Sequence, residues 1–537
     1  MNPVLKFRRH ALIKGRSQRV VVLLSSVALL STLGLSGCAV GPDYKKPDPW
    51  APPHYDSHVR SGRVASETVA DAPDPAWWKI FNDPELTSLE ERIAHENLAV
   101  SRAASQLAQS RAQLLMAGAE RFPGLSATGS YTRSQYSTKE LQRIISDVGK
   151  KIGGNNGQLL RDNSGSATIP LFDQWRDSID ATYEIDLWGR VRRQYEAAKA
   201  DLDAADDARR GVLIAQQAEM ARDYLMLRGQ QEQLRIARAN SRLQQETLAL
   251  ARDRYKSGLV TDLDVESARS QYETTTARIA SLEQDVALQM NAISLLLGTP
   301  PGSLNGELTA ATRIPVVPPR VPIGVPSELA QRRPDIRQAD ARLHAAVANV
   351  GEAEAEFYPK ITIDAGFGFQ SLSFRDLGFW NARAWNVGPS ISLPIFQGGK
   401  LRGQLLLNRY AQKEAAIAYR ETVLTAWREV DDALIAYRDE QRRRDGLVAA
   451  QAAAERAFSL AHDQYRSGLV TYLNVLSAQN DLLQAQSQVA DSTTTVAANL
   501  ARLYNALGGG WQTTFPVSDP EKATAAQLAR VGSVVTH

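Results

Sequence analysis

Between residues 178 and 187, SIDATYEIDL, apolar and polar positions alternate without a break. Ile179, Ala181, Tyr183, Ile185 and Leu187 fall on one side, Ser178, Asp180, Thr182, Glu184 and Asp186 on the other. A period of two is that of a strand with unlike faces. About ten residues is the length a tilted strand needs to cross a bilayer. ITIDAGFGF (361–369) and WNVGPSISLPI (385–395) repeat the pattern, and LSATGSYT (125–132) does so more weakly. Trp188, Phe367, Phe369, Trp380 and Trp385 gather near the predicted strand ends, as in an interfacial girdle. An amphipathic sheet in a soluble domain carries the same alternation, so the pattern alone leaves both readings open.

Elsewhere the period lengthens. Val191, Tyr195, Ala198, Leu202 and Ala205 step by four and three, as do Val423, Ala426, Val430, Ala433 and Tyr437. That spacing is the seam of a coiled coil rather than the wide face of a globular helix. The stretch 190–256 contains few helix breakers; as one helix of about 66 residues it would span roughly 100 Å. No single antiparallel partner of that length exists. Two shorter predicted helices, 84–121 and 262–298, are expected to stack end to end against it. No internal run of about 20 apolar residues is present, so a membrane-spanning part would have to be β-structure or a lipid anchor.

The chain is internally duplicated. DRYKSGLVTDLDV (253–265) returns as DQYRSGLVTYLNV (463–475), an offset of 210 that also places Gly189-Arg190 on Gly399-Lys400 and Leu297-Gly298 on Leu507-Gly508. Upstream, Phe122-Pro123 corresponds to Tyr358-Pro359 at an offset of 236; the extra 26 residues lie within 133–177, which reads as a long polar loop of the first copy. Both repeated turns look like tight helix reversals. Gly258 and Gly468 suit the left-handed end of a helix. Thr261 and Thr471 are placed as N-caps, with Asp264 and Asn474 at N3 and Val260/Val265 and Val470/Val475 as staple pairs. The expected organisation is a signal at 1–37, an acylated tether at 38–83, a first repeat at 84–298, a Pro-rich linker at 299–326, a second repeat at 327–508 and a tail at 509–537.

The N-terminus changes the charge reading. Lys6, Arg8, Arg9, Lys14, Arg16 and Arg19 precede VVVLLSSVALLSTLGL (20–35) and LSGC (35–38), the grammar of a secretory signal. The only cysteine, Cys38, cannot form an intramolecular disulfide. With the six basic residues of 1–37 removed, 56 Lys and Arg face 59 Asp and Glu, so the mature chain is slightly acidic and nothing argues for nucleic acid. Seven histidines form no ligand-spaced cluster; His54 and His58 sit in the Pro-rich tether, and no phosphate loop or nucleophile elbow occurs. An enzyme is therefore not expected, nor any cofactor. A non-channel envelope lipoprotein, a coiled-coil spacer, remains as a third reading. It would not need four bilayer-length strands. Four strands cannot close a transmembrane barrel, for which about eight is the minimum. An open edge in lipid costs several kcal/mol per unsatisfied group. If the strands lie in a membrane, other copies must complete the wall.

Several segments together resemble the outer membrane factors of bacterial tripartite efflux pumps, the TolC-like channels, in their lipoprotein branch. They are the lipobox LSGC, WWKIFNDPELTSL, YEIDLWGR, RRPDI (332–336), LPIFQGGKLRG (393–403) and the duplicated Y-x-S-G-L-V-T-x-L-x-V. The resemblance covers nearly the whole mature chain. It implies a mixed α+β, mostly α fold: a homotrimer in which four strands per subunit form a twelve-stranded barrel. Long coiled-coil helices would continue the barrel as a periplasmic tunnel, with the linker and C-terminal segment in an equatorial belt. It implies an outer membrane exit channel, with Cys38 as the lipid attachment point (acyl and palmitate) and no other cofactor. Ala39 and Val40 leave the position after Cys38 without the Asp that signals inner-membrane retention. The tips Ser257, Gly258, Leu259, Val260, Thr261 and Ser467, Gly468, Leu469, Val470, Thr471 would contact a periplasmic adaptor, itself joined to an inner-membrane transporter. The family's acidic gate positions fall in the second copy on Asn474 and Ser477, both uncharged. In the first copy Asp262 and Asp264 are the candidates, and Asp264 is equally placed as a helix cap. Asp180, Glu184 and Asp186 would form an acidic band in the barrel lumen.

Overall fold

The computed structural model describes residues 39–47, 64–135, 138–155, 158 and 171–515. The signal, Cys38, the Pro-rich stretch 48–63 and the segment after 515 lie outside them. In chain order the elements are β1 (Glu67–Val69), α1 (Pro84–Glu96), α2 (Leu98–Ala119), β2 (Gly124–Ser134), α3 (Thr138–Ile152), β3 (Phe172–Ile185), α4 (Arg190–Lys256) and α5 (Asp262–Leu296). There follow α6 (Asn305–Leu308), β4 (Arg320–Pro322), α7 (Leu329–Arg332), α8 (Pro334–Ala355), β5 (Lys360–Ser371), β6 (Arg383–Ser392), α9 (Lys400–Arg466) and α10 (Tyr472–Ala506). The fold is mostly helical, and the two longest helices, α4 and α9, have 67 residues each. Among the described residues no helix is long and apolar enough to cross a membrane.

The chain divides into two compact units. One takes the described residues up to Tyr44 together with Gln113–Lys199 and Ala345–Gln412. It holds the four-stranded antiparallel sheet, in the order β2-β3-β5-β6. The strands follow the alternation that predicts them, but β3 starts at Phe172, six residues before the alternating run, and stops at Ile185. The segment 133–177, read as a polar loop, instead contains the helix α3.

The second unit takes the described residues within Lys45–Ala112 and Ala200–His344 and those from Lys413 onward. Its core is a cluster of large side chains that includes Trp77, Trp78, Phe81, Leu86, Leu89, Ile93, Tyr224, Tyr437, Leu500 and Tyr504. Burying an apolar side chain of that size contributes about 1.5–3 kcal/mol. Trp77 stacks on Tyr504 at 5.6 Å. The far end of the segment expected as an extended tether thus enters the core at Ala76, Trp77, Trp78 and Phe81, and Ser66 is buried upstream of them. Ser66 accepts a hydrogen bond from the Tyr437 hydroxyl at 2.8 Å, and β1 pairs in parallel with β4 of the linker. The WWKIFNDPELTSL motif explains itself here. Asn82 adopts a left-handed turn, Asp83 caps α1 through Glu85 N and Leu86 N, and Pro84 fills N1, where no donor is needed. The second carboxylate oxygen of Asp83 accepts from Tyr224 at 2.7 Å, which ties the cap to α4.

The predicted helix 84–121 breaks at Asn97. Its Oδ1 accepts from Ala99 N and Val100 N, starting α2, while its Nδ2 donates to the Leu296 carbonyl at the end of α5. The ends of α2 and α5 therefore meet, as the end-to-end stacking requires. The second copy builds the same joint differently: Arg333 donates to the Ala506 carbonyl at 2.7 Å and pairs with Asp335 and Glu429, and Pro334 begins α8. The seam predicted on α9 is buried throughout, Val423 to Tyr437. On α4 it is displaced by a residue or two: Val191, Ala197, Ala200 and Ala204 are buried, while Tyr195, Ala198, Leu202 and Ala205 are half-buried.

Candidate membrane sheet and hairpin tips

The register of the sheet sorts its side chains onto two unlike faces. Ala181 lies opposite Leu125 and Ala365, and Ala365 opposite Val387. That face carries Leu125, Ile179, Phe367, Trp385, Val387 and Ile391, all exposed, Leu125 to 74% and Ile391 to 69%. An apolar surface of this extent on a folded chain marks contact with lipid or protein. At the end of the sheet opposite the strand-to-helix joints, the rings of Tyr131, Trp175 and Phe374 follow one another in a row, tilted and then edge-on, with centroid separations of 4.4 and 4.9 Å.

The opposite face is polar. Asp180 lies across from Ser126 and Gly366, and Asp364 across from Thr182 and Gly388. Both carboxylates accept hydrogen bonds from hydroxyls: Asp180 from Ser178 at 2.8 Å and Thr128 at 3.1 Å, Asp364 from Thr182 at 3.1 Å. Gly366 makes room between Asp180 and Asn386, since a Cβ there would come within 2.7 Å of the Oδ1 of each. Of the three expected lumen acids only Asp180 retains this setting. Glu184 shares the face, but Arg190 grips it with two bonds of 2.9 and 2.8 Å and Lys360 approaches to 2.8 Å, so its charge is compensated. Asp186 lies beyond the end of β3 and caps the following helix, accepting from Arg192 N at 2.9 Å. Asp364, which sequence reasoning missed, shares the polar face with Asp180, and the alternation TID (362–364) marks it.

The strand-to-helix joint is held by the YEIDLWGR motif. Trp188 donates to the Pro359 carbonyl at 2.9 Å and stacks on Tyr358. The first described residues are bound here as well. Val40 N donates to the Trp188 carbonyl, Asp43 pairs with the buried Arg193 at 2.6 Å, and Gly41 lies so close to Gly351 that a Cβ would reach 2.4 Å from its Cα.

At the other candidate site, both repeated turns are built alike. Gly258 and Gly468 have φ of 69° and 78°, a region that costs other residues about 1–2 kcal/mol. Leu259 N donates to the Arg254 carbonyl and Gly258 N to that of Tyr255; Leu469 and Gly468 repeat this with Gln464 and Tyr465. These are the two bonds of a Schellman ending. Ser257 and Ser467 turn their hydroxyls back onto Asp253 and Asp463, so they serve the turn. The capping boxes form only in part. Thr261 and Thr471 have N-cap backbone geometry, but neither side chain caps its helix, and the Thr471 hydroxyl donates to Asn474 Oδ1 instead. The staple residues Val265 and Val475 are buried in a cluster with Leu248, Ala251, Tyr465 and Tyr472, with Val470 packed beside it, so the two hairpins share one small core.

Two leucines of each hairpin stay outside it. Leu259 and Leu469 are 67% and 75% exposed, and Leu263 and Leu473 match them one step along. The copies differ where the first has Asp262, exposed, and the second Tyr472, buried against Tyr465 at 5.9 Å. Burial, with Tyr465 and Asp264 alongside, pushes the Tyr472 hydroxyl up to about 12. Asp264 is half-buried and near both tyrosines, whereas Asn474 and Ser477 are exposed. Arg254 joins the hairpins: its guanidinium lies 4.7 Å over the Tyr465 ring and donates to the Tyr465 carbonyl. Sequence reasoning missed Arg254, Tyr465 and Tyr472, although the Arg254 to Gln464 difference between copies was visible.

The profile of a family described as outer membrane efflux protein matches residues 89–299 and 325–509. The chain is 34% identical to the pyoverdine export outer membrane protein OpmQ of Pseudomonas putida, over 83% of this chain and 90% of that one. It is 30% identical to the probable outer membrane lipoprotein SilC of Salmonella typhimurium, over 89% and 96%. Among solved structures it superposes on the outer-membrane channel OprN with a TM-score of 0.79 at 30% identity, covering 88% of this chain and all of the other.

Proposed function

Because the chain belongs to the outer membrane efflux protein family, we propose that it is the outer membrane exit channel of a tripartite efflux pump. In this reading three copies share one wall. The observation that carries it is the two-faced sheet: an exposed apolar side, a polar side, and two edges, β2 and β6, that pair with no further strand among the described residues. In hydrocarbon each edge would leave a row of unpaired N–H and C=O groups, several kcal/mol apiece. Three copies of four strands remove every edge and enclose a lumen lined by Asp180 and Asp364. The helices would continue that lumen into the periplasm.

The tips would meet the hairpins of a periplasmic adaptor. The exposed leucine pairs supply apolar contact, and the glycine turns hold them out rigidly. Arg254, Asp264, Tyr465 and Tyr472 would tie the two hairpins of one subunit, a place where tip spacing can be set. Asp262, Asn474 and Ser477 remain as exposed candidates for the mouth. The lipid on Cys38 would enter the membrane next to the joint that binds Val40 to Asp43. The family is one of transport proteins and not of enzymes, and the energy for transport would come from the inner-membrane transporter. What passes through would be selected there.

Planar bilayers test the reading. Purified protein should give discrete conductance steps that favour cations, and Asp180→Asn with Asp364→Asn should lower the cation preference at similar step size. Absence of steps, or a preference untouched by the double variant, would count against it.

A further inference from the structure

The helix α3 lies in the longer segment 133–177 of the first repeat. Its apolar and polar positions are segregated more sharply than on either 67-residue helix. Ile144, Val148 and Ile152, four residues apart, form one stripe and are 57%, 45% and 56% exposed. Another side is covered, with Gly149 buried and Ile145 half-buried. Lys139, Arg143, Lys150 and Lys151 outnumber Glu140 and Asp147, and Lys150 uses Asp147 as an ion-pair partner at 3.1 Å. A helix with an apolar stripe and a basic polar face is the kind that lies in a membrane interface.

Its position agrees. Thr138 follows Ser134, the last residue of β2, by four peptide units, so the helix begins within about 15 Å of the strand end. That end carries the Tyr131–Trp175–Phe374 row, the aromatic layer that marks the membrane boundary if the sheet spans it. It is also the end opposite the strand-to-helix joints. We propose that α3 docks on the outer leaflet, with Ile144, Val148 and Ile152 in the headgroup–acyl boundary and its basic side against anionic headgroups. A second copy of the chain is the poorer occupant, because the net positive charge of one α3 would face that of the next. The proposal rests on the reading that the sheet lies in the membrane.

The test uses the full-length acylated protein in phosphatidylcholine vesicles, with and without phosphatidylglycerol. A bimane label is placed at Val148→Cys, at Arg143→Cys on the polar side, and at Val387→Cys on the lipid face of the sheet. The label at Val148 should be quenched by a headgroup-depth nitroxide lipid and be at least about threefold less accessible to iodide than the one at Arg143. Phosphatidylglycerol should widen the contrast. Adding Ile144→Glu and Ile152→Glu should abolish lipid quenching at Val148. Equal iodide access at both helix sites would overturn the proposal. So would a disulfide between copies through Val148→Cys, which would mean that the stripe meets another subunit. If Val387 is lipid-quenched and Val148 is not, only this inference falls; if Val387 is not quenched, the reading of the sheet falls with it.

Discussion

Two neighbours on β6 allow the face assignment to be tested with one substitution each. Val387 is the fifth residue of the ten-residue strand Arg383–Ser392. Ten residues rise about 33 Å, which at a tilt near 45° covers about 24 Å, the height of the apolar band of a transmembrane barrel. Val387 therefore sits within about 2 Å of the middle. It is 64% exposed, and its side chain is on the face of Leu125 and Ile391. An arginine at the midplane costs about 2–4 kcal/mol, so Val387→Arg should destabilise each subunit by that amount. Three copies in one barrel should lose about 6–12 kcal/mol together. Asn386, one residue away, is on the face of Asp180, where an added guanidinium meets water and carboxylates. Asn386→Arg should then cost less than about 1 kcal/mol and lower cation preference. Urea unfolding from lipid vesicles, followed by tryptophan fluorescence, measures both. Equal losses for the two variants, or a larger loss at Asn386, would refute the assignment of faces.

Other outcomes follow from the tips and the core. Leu259→Glu with Leu469→Glu should weaken adaptor binding at least about tenfold, as loss of buried anchors does. It should leave thermal stability unchanged, since neither side chain packs; binding to immobilised adaptor reports this, and unaltered affinity would remove the docking role. Arg254→Ala should loosen the tie to Tyr465, seen as a larger or longer-lived open conductance with the barrel intact, and identical gating would exclude it as a latch. Glu90 on α1 is fully buried with no hydrogen-bond partner for either oxygen among the described residues, and burial pushes its carboxyl well above the usual carboxylate range. The folded state thus holds this proton more tightly than the unfolded one. Its contribution is fully present below about pH 4.5 and fades as pH rises through the folded value. Glu90→Gln should flatten the fall in melting temperature with rising pH over that range, and an unchanged slope would place the titration elsewhere.

Much of this was legible in the sequence because period is a local property. The strand faces, the two long helices and the duplicated glycine turns follow from spacing alone. What was missed depended on partners far apart in the chain. The break at Asn97 could not be read because the carbonyl that holds its amide belongs to Leu296. That the charge of Glu184, expected in an acidic band, is compensated could not be read because Arg190 and Lys360 approach it from the following helix and another strand. On α4 the seam slipped because alanines adjoin one another at 197–198 and 204–205, and period cannot choose between such neighbours. The helix α3 was overlooked for a different reason. Its spacing was present, but the Gly- and Asn-rich residues beside it dominated the reading of 133–177.

The central claim is that separate copies close one wall, and electron cryomicroscopy of the acylated protein in lipid nanodiscs addresses it most directly. Three subunits should surround a common axis, with β6 of each hydrogen-bonded to β2 of the next and twelve strands around a water-filled lumen. A monomer whose sheet edges stay open, or an assembly with the apolar faces turned inward, would contradict it.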